Sequence, residues 1–191
     1  MKKFAGGLIT GAIVGAAMGM IIDSIGIAFI TRAGLGTSPI SGIPFVLSLI
    51  LPPSIGTFTF LFNMVYVAAE AILRKEFTKV QAAQIPISLF FAVCIDAAMS
   101  IIPSQYGQFY LYSVAYLVIG CVIAAFGISL EVMADVIMLP AEALIRAISK
   151  KIGVRFGNVK IGFDTCLTII AVVIALLSFH KLNGVREGTI F

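Results

Sequence analysis

Polar and apolar positions along this chain are distributed in long blocks. Five stretches run nearly uncharged: Leu8–Thr31, Ile55–Leu73, Ala82–Ile102, Leu111–Val132 and Ile161–Leu177. Each approaches the roughly 20 residues a helix needs to cross about 30 Å of hydrocarbon. Two shorter segments sit between them. One begins at Pro39, reaches about Leu51 and is closed by Pro52-Pro53; the other begins at Pro140. Thirteen helical residues at about 1.5 Å each reach only about 20 Å, so neither short segment crosses. The pattern predicts an all-α, polytopic transmembrane helix bundle.

Glycine spacing refines the first span. Gly7, Gly11, Gly15 and Gly19 recur every four residues and lie on one helix face. Each glycine costs a helix in water about 1 kcal/mol. In lipid the helix is retained, because the backbone has no other partner, and a glycine ridge lets a second helix approach closely. The ridge is a candidate packing face within the monomer or for a homodimer. Asp23 continues the same face as an acid at membrane depth.

The chain also repeats. A shift of 101 residues, without a gap, superimposes Gly19 on Gly120, Gly26 on Gly127, Ala33 on Ala134 and Pro39 on Pro140. It further superimposes Ser48 on Ser149, Gly56 on Gly157, Phe62 on Phe163 and Asn63 on Asp164. Residues 1–103 form one unit and 104–191 the second, within a single membrane domain. Each unit reads as a long helix, a break, a short helix and further long helices. Three crossings per unit reverse the sense of the second, which makes an inverted repeat. The second unit lacks an equivalent of Ala82–Ile102. Gly188-Thr189-Ile190-Phe191 resembles the opening of a sixth span, so the chain is expected to be C-terminally truncated.

Composition agrees with a membrane chain: 60% of the 191 residues are hydrophobic and the mean hydropathy is +1.11. The net charge of +4 comes from the loops. Ten basic residues fall on the side of the N-terminus and three (Arg32, Lys181 and Arg186) on the other, so the positive-inside rule places the N-terminus in the cytoplasm. Nucleic-acid binding has no support. Cys94, Cys121 and Cys166 all lie in apolar stretches and read as small packing residues. His180 has no metal-binding partners near it in sequence. No HExxH, phosphate loop, GxSxG or nucleophile–base pair occurs, so neither an enzyme nor a cofactor is expected.

Candidate chemistry rests on acids inside the apolar blocks. Glu70 precedes Arg74 by four residues and reads as an ordinary helical ion pair. Asp23, Asp96, Glu131, Asp135 and Asp164 lie within or at the ends of spans, and Glu142 opens the second short helix. A charge at mid-bilayer costs at least about 2.5–3.5 kcal/mol, so such groups face a wet cavity or a partner. In the first break, Ser38 is suited to cap the short helix and Pro39 to its first position. The second short helix is amphipathic, with Ala141, Leu144, Ile145 and Ile148 opposite Glu142, Arg146, Ser149 and Lys150; it is expected at the cytoplasmic interface. The expected solute path is formed by Thr37, Ser38, Glu131, Asp135, Glu142 and Asp164. Arg186 and Glu187 join it if the segment after Gly184 folds back into the membrane.

Three motifs carry a family resemblance. Gly34-Leu35-Gly36-Thr37-Ser38-Pro39, Gly127-Ile128-Ser129-Leu130-Glu131-Val132-Met133-Ala134-Asp135 and Gly184-Val185-Arg186-Glu187-Gly188-Thr189 occur in order along the chain. Together they resemble the YczE/YyaS/YitT group of bacterial integral membrane proteins, in its YczE-like branch. The resemblance implies a location in the bacterial cytoplasmic membrane and a final apolar helix after the arginine–glutamate motif. It implies no substrate or catalytic residues. The expected function is a small secondary transporter or permease for a small polar or cationic solute. The alternative is a non-transporting accessory or substrate-binding subunit of a larger complex.

Overall fold

Two glycines set the first break. Gly34 and Gly36 hold φ of 72° and 126°, a region that side chains with a Cβ rarely enter. They end the first long helix and turn the chain into the first short one. In a computed structural model, which describes residues 2–104, 110–134 and 138–179, the described chain is all-helical. Side chains of the first helix are described at 11 and from 13 onward.

Seven helices follow in order: α1 Lys2–Arg32, α2 Pro39–Ile50, α3 Ile55–Arg74, α4 Lys79–Ile101, α5 Tyr110–Ala134, α6 Pro140–Ile152 and α7 Phe156–Phe179. Five of them (α1, α3, α4, α5 and α7) are long and apolar enough to cross a membrane. The predicted spans match them, with ends shifted by a few residues because capping, and not hydropathy, sets the boundaries. Ser38 caps α2 by accepting from the Ser41 amide, with Pro39 in the first turn. Ser54 caps α3 in the same way. Thr78 and Gln81 close a reciprocal capping box at the start of α4, three residues before the apolar stretch begins. Glu70 and Arg74 form the expected ion pair, at 2.7 Å.

The α1–α5 contact is made by glycine. A Cβ added at Gly19 would stand 2.8 Å from both the Gly127 carbonyl oxygen and Glu131 Cγ. At Gly120 it would stand 2.9 Å from the Gly26 carbonyl oxygen and 2.8 Å from Ile30 Cγ1. At Gly26 it would meet the Ala124 nitrogen at 2.5 Å, and at Gly127 the Asp23 nitrogen, also at 2.5 Å. Low numbers on α1 face high numbers on α5, so the two helices are antiparallel. Every one of these contacts exchanges with another under the 101-residue shift, at distances that agree within 0.1 Å. A two-fold axis perpendicular to the long helices, passing beside Asp23 and Ala124, produces such a pattern.

The same exchange governs the short helices. α2 packs on α7 of the other unit, where Ile43 and Val46 meet Leu167, Ala171 and Ala175. α6 packs on α3, where Ala141 and Leu144 meet Tyr66. Each short helix therefore buries an apolar stripe across the unit boundary, while α2 also turns Phe45 onto Ile55, Phe91 and Ile95 of its own unit. α6 accordingly departs from the expected interfacial position: Pro140, Ala141, Ala143, Leu144, Ile145 and Ala147 are all buried. Its apolar stripe is matched by protein.

Two groups of helices result. α1 and α5 pack closely on each other; α2, α3, α6 and α7 pack on one another. Among the described residues α5 has no extensive partner besides α1, and α4 joins the groups by packing on both α1 and α3.

Candidate functional site

The ridge formed by Gly15 and Gly19 on α1 meets α5, and below it the side chains of Asp23 and Glu131 leave the crossing toward the four-helix group. Between the two groups lies a cavity of about 320 Å³. Its wall has a simple rule. Eight pairs of lining residues stand 101 positions apart: Asp23/Ala124, Ile27/Ile128, Ile30/Glu131, Ser38/Leu139, Ile40/Ala141, Ser41/Glu142, Thr59/Lys160 and Asn63/Asp164. The cavity thus sits on the two-fold axis, near the middle of the apolar run Ile13–Arg32. Its shape is symmetric and its chemistry is not. The first unit contributes Asp23, hydroxyls and an amide; the second contributes Glu131, Glu142, Asp164 and Lys160.

Helix ends shape the wall. Ser38 and Pro39 bring the N-terminus of α2 to it, and Leu139 and Ala141 bring that of α6. Ser38 caps α2, whereas Leu139 offers α6 no side-chain cap. Glu142 falls in the first turn of α6, where a carboxylate complements the helix dipole.

The carboxylates differ in their partners. Lys160 Nζ lies 3.3 Å from Asp164 Oδ2, one turn away on α7. The other oxygen, Asp164 Oδ1, is buried and takes no hydrogen bond among the described residues, and the same holds for Glu131 Oε1. Glu142 lies within electrostatic reach of both Asp23 and Glu131. Asp23 and Asn63 are each only 5% exposed and line the cavity. Among the described residues no group of three His, Cys, Asp or Glu side chains is gathered closely enough to hold a metal ion.

Of the eight residues expected on the solute path, Ser38, Glu131, Glu142 and Asp164 line the cavity. Thr37 stands behind the wall, fully buried, with its hydroxyl 3.1 Å from that of Thr31. Asp135, Arg186 and Glu187 lie outside the described residues, as does His180. Asp96, one of the membrane-depth acids, serves the fold. Its Oδ1 accepts from the Gly56 amide at 2.8 Å and its Oδ2 from the Ser54 hydroxyl at 2.6 Å, which anchors the start of α3. Arg32 donates to the Met99 carbonyl in the last turn of α4, a favourable place for a cation. The sequence reading of the path missed Asp23, Ser41, Thr59, Asn63 and Lys160. Asp23 was visible as a membrane-depth acid. Asn63 carried one signal, its coincidence with Asp164 in the repeat.

Antiparallel glycine-packed helices, short helices buried across a two-fold, and a charged cavity on the axis define a multi-pass α-helical membrane protein. The chain belongs to a family of unknown function, DUF6198, which it matches over residues 11–191. No curated protein and no solved structure matches it.

Proposed function

We propose that the protein is a small secondary carrier for a small polar or cationic solute, held in the bacterial cytoplasmic membrane with its N-terminus inside. The single observation that carries this reading is the cavity wall of exchanged residue pairs at mid-span. A solute site on the axis of an inverted repeat can be reached from either side by equivalent movements. The excess of basic residues on the N-terminal side supports the orientation.

The packing also supports a choice of moving parts. Rocking residues 1–103 against 104–191 would tear the glycine contact of α1 with α5, and those of α2 with α7 and α3 with α6. The looser boundary runs instead between the α1/α5 pair and the α2/α3/α6/α7 group. The carrier opens along that boundary, with α4 as the link.

Site-directed labelling tests this. Ile27→Cys and Ile128→Cys, each alone in a chain with Cys94, Cys121 and Cys166 replaced by alanine, place a thiol on the cavity wall. A membrane-impermeant maleimide applied to right-side-out and inside-out vesicles is expected to reach both positions from both sides. Labelling confined to one side would overturn the carrier and favour a subunit with a one-sided pocket.

A further inference from the structure

The cavity wall carries more carboxylate than it neutralises. Asp23, Glu131, Glu142 and Asp164 face it, against the single ammonium of Lys160 among the described lining residues. The two helix N-termini add roughly half a positive charge each. Together these offset about two of the four acids, so with all four ionised the space is left with net negative character. Asn63 supplies an independent sign that something polar is received there. Its amide is 5% exposed and lines the cavity, and beside it the buried Asp164 Oδ1 and Glu131 Oε1 take no hydrogen bond among the described residues. Buried polar atoms are normally satisfied, and orphaned ones at a cavity wall await a guest or water.

Beyond these groups and the hydroxyls of Ser38, Ser41 and Thr59 the wall is apolar, with Ile27, Ile30, Phe91, Ile128 and Val132. About 320 Å³ falls at the small end of small-molecule sites. A bare inorganic cation needs several oxygens within roughly 2.5 Å of one point, and the described acids are not gathered that way. An ammonium group on a compact apolar body satisfies both kinds of surface. Phe91 adds an aromatic ring of the sort that organic ammonium sites employ.

Resting on the reading of this cavity as a solute site, we infer that its substrate is a small organic cation. The ammonium sits toward Asp23 and Glu131, the apolar body lies against Ile27, Phe91 and Ile128, and Asn63 meets a polar substituent. The site disfavours inorganic cations, for which its acids are too dispersed, and zwitterions by charge.

The test uses thermal unfolding of the full chain purified in detergent, with choline, its carboxylate analogue betaine, its neutral isostere 3,3-dimethylbutan-1-ol, sodium and potassium as probes. Choline chloride is expected to raise Tm above equal concentrations of sodium or potassium chloride, while betaine and the neutral alcohol do not. Ligand stabilisation grows with the logarithm of concentration over Kd, so a series up to about 100 mM registers even weak binding. Asp23→Asn and Glu131→Gln are expected to reduce the choline shift to that of sodium chloride. Should either variant fail to fold, Asn63→Asp provides the opposite arm: a further wall carboxylate increases the choline shift. An equal shift with sodium or potassium, with betaine, or with the alcohol overturns the assignment, and so does the absence of any choline shift. The labelling experiment uses no choline, so the two readings fail separately. A choline shift with one-sided labelling removes the carrier and keeps the cation site; two-sided labelling without a choline shift does the reverse.

Discussion

Gly127 lies directly against the backbone of Asp23: a Cβ at residue 127 would stand 2.5 Å from the Asp23 amide nitrogen and 2.8 Å from its Cα. The acid at the centre of the cavity is therefore held in place by a glycine on the opposite unit. No flexible side chain lies in the way, so a methyl group there moves backbone.

Gly127→Ala and its mate Gly26→Ala are expected to destabilise the protein by about 1–3 kcal/mol each, the ordinary cost of overpacking. Gly11, Gly157 and Gly162 have open space around the added Cβ. Alanine at these three positions is expected to leave Tm within about a degree of the parent, as for substitutions away from packed features. Thermal unfolding of the detergent-purified variants decides. Equal effects at the packed and open glycines would refute the α1–α5 crossing described above.

A disulfide can report the exchange of short helices. A Cβ on Gly42 would lie 3.5 Å from that of Ala171, within the range compatible with a disulfide. The double variant Gly42→Cys, Ala171→Cys, in the chain without its native cysteines, is expected to cross-link under mild oxidation. A protease site placed in the exposed Arg74–Phe77 turn leaves the cross-linked chain as one band on a denaturing gel, and reductant separates it into two. Fragments that separate without reductant would show that α2 does not rest on α7.

Asp96 anchors α3 through the Ser54 hydroxyl and the Gly56 amide. Asp96→Ala removes both acceptors and is expected to cost about 1–3 kcal/mol, the range for an orphaned donor. Asp96 lies away from the cavity, so its loss is expected to lower Tm without altering the choline shift. A loss of ligand response with unchanged Tm would move Asp96 from the fold to the site.

Much of the architecture was legible in the sequence because hydropathy and breaks are local signals. The five long helices, the Ser38 cap with Pro39, and the Glu70–Arg74 pair depend on neighbours a few residues away. The 101-residue shift carried further. It aligns Asn63 with Asp164, and it pairs the glycines whose contacts exchange across the α1–α5 crossing. What the sequence did not reveal depends on distant partners. Asp96 looked like the other buried acids, because the groups it holds come some 40 residues earlier. Thr37 and Ser38 are adjacent and similar, yet one turns toward Thr31 and the other toward the cavity. The amphipathic pattern of α6 fits a membrane surface and a protein groove equally well; only the presence of α3 and α7 tells them apart.

The cross-packing of α2 bears on how the chain matures during synthesis. Helix α2 ends at Ile50 and the helix that covers it begins only at Phe156. Once α2 has left the ribosome, about a hundred further residues must be made before its cover exists. In that interval Phe45 can already pack against Ile55, Phe91 and Ile95 of its own unit, but the face that carries Ile43 and Val46 is left without its cover. The first half is consequently an unfinished product by itself, and its last packing step waits for the synthesis of α7.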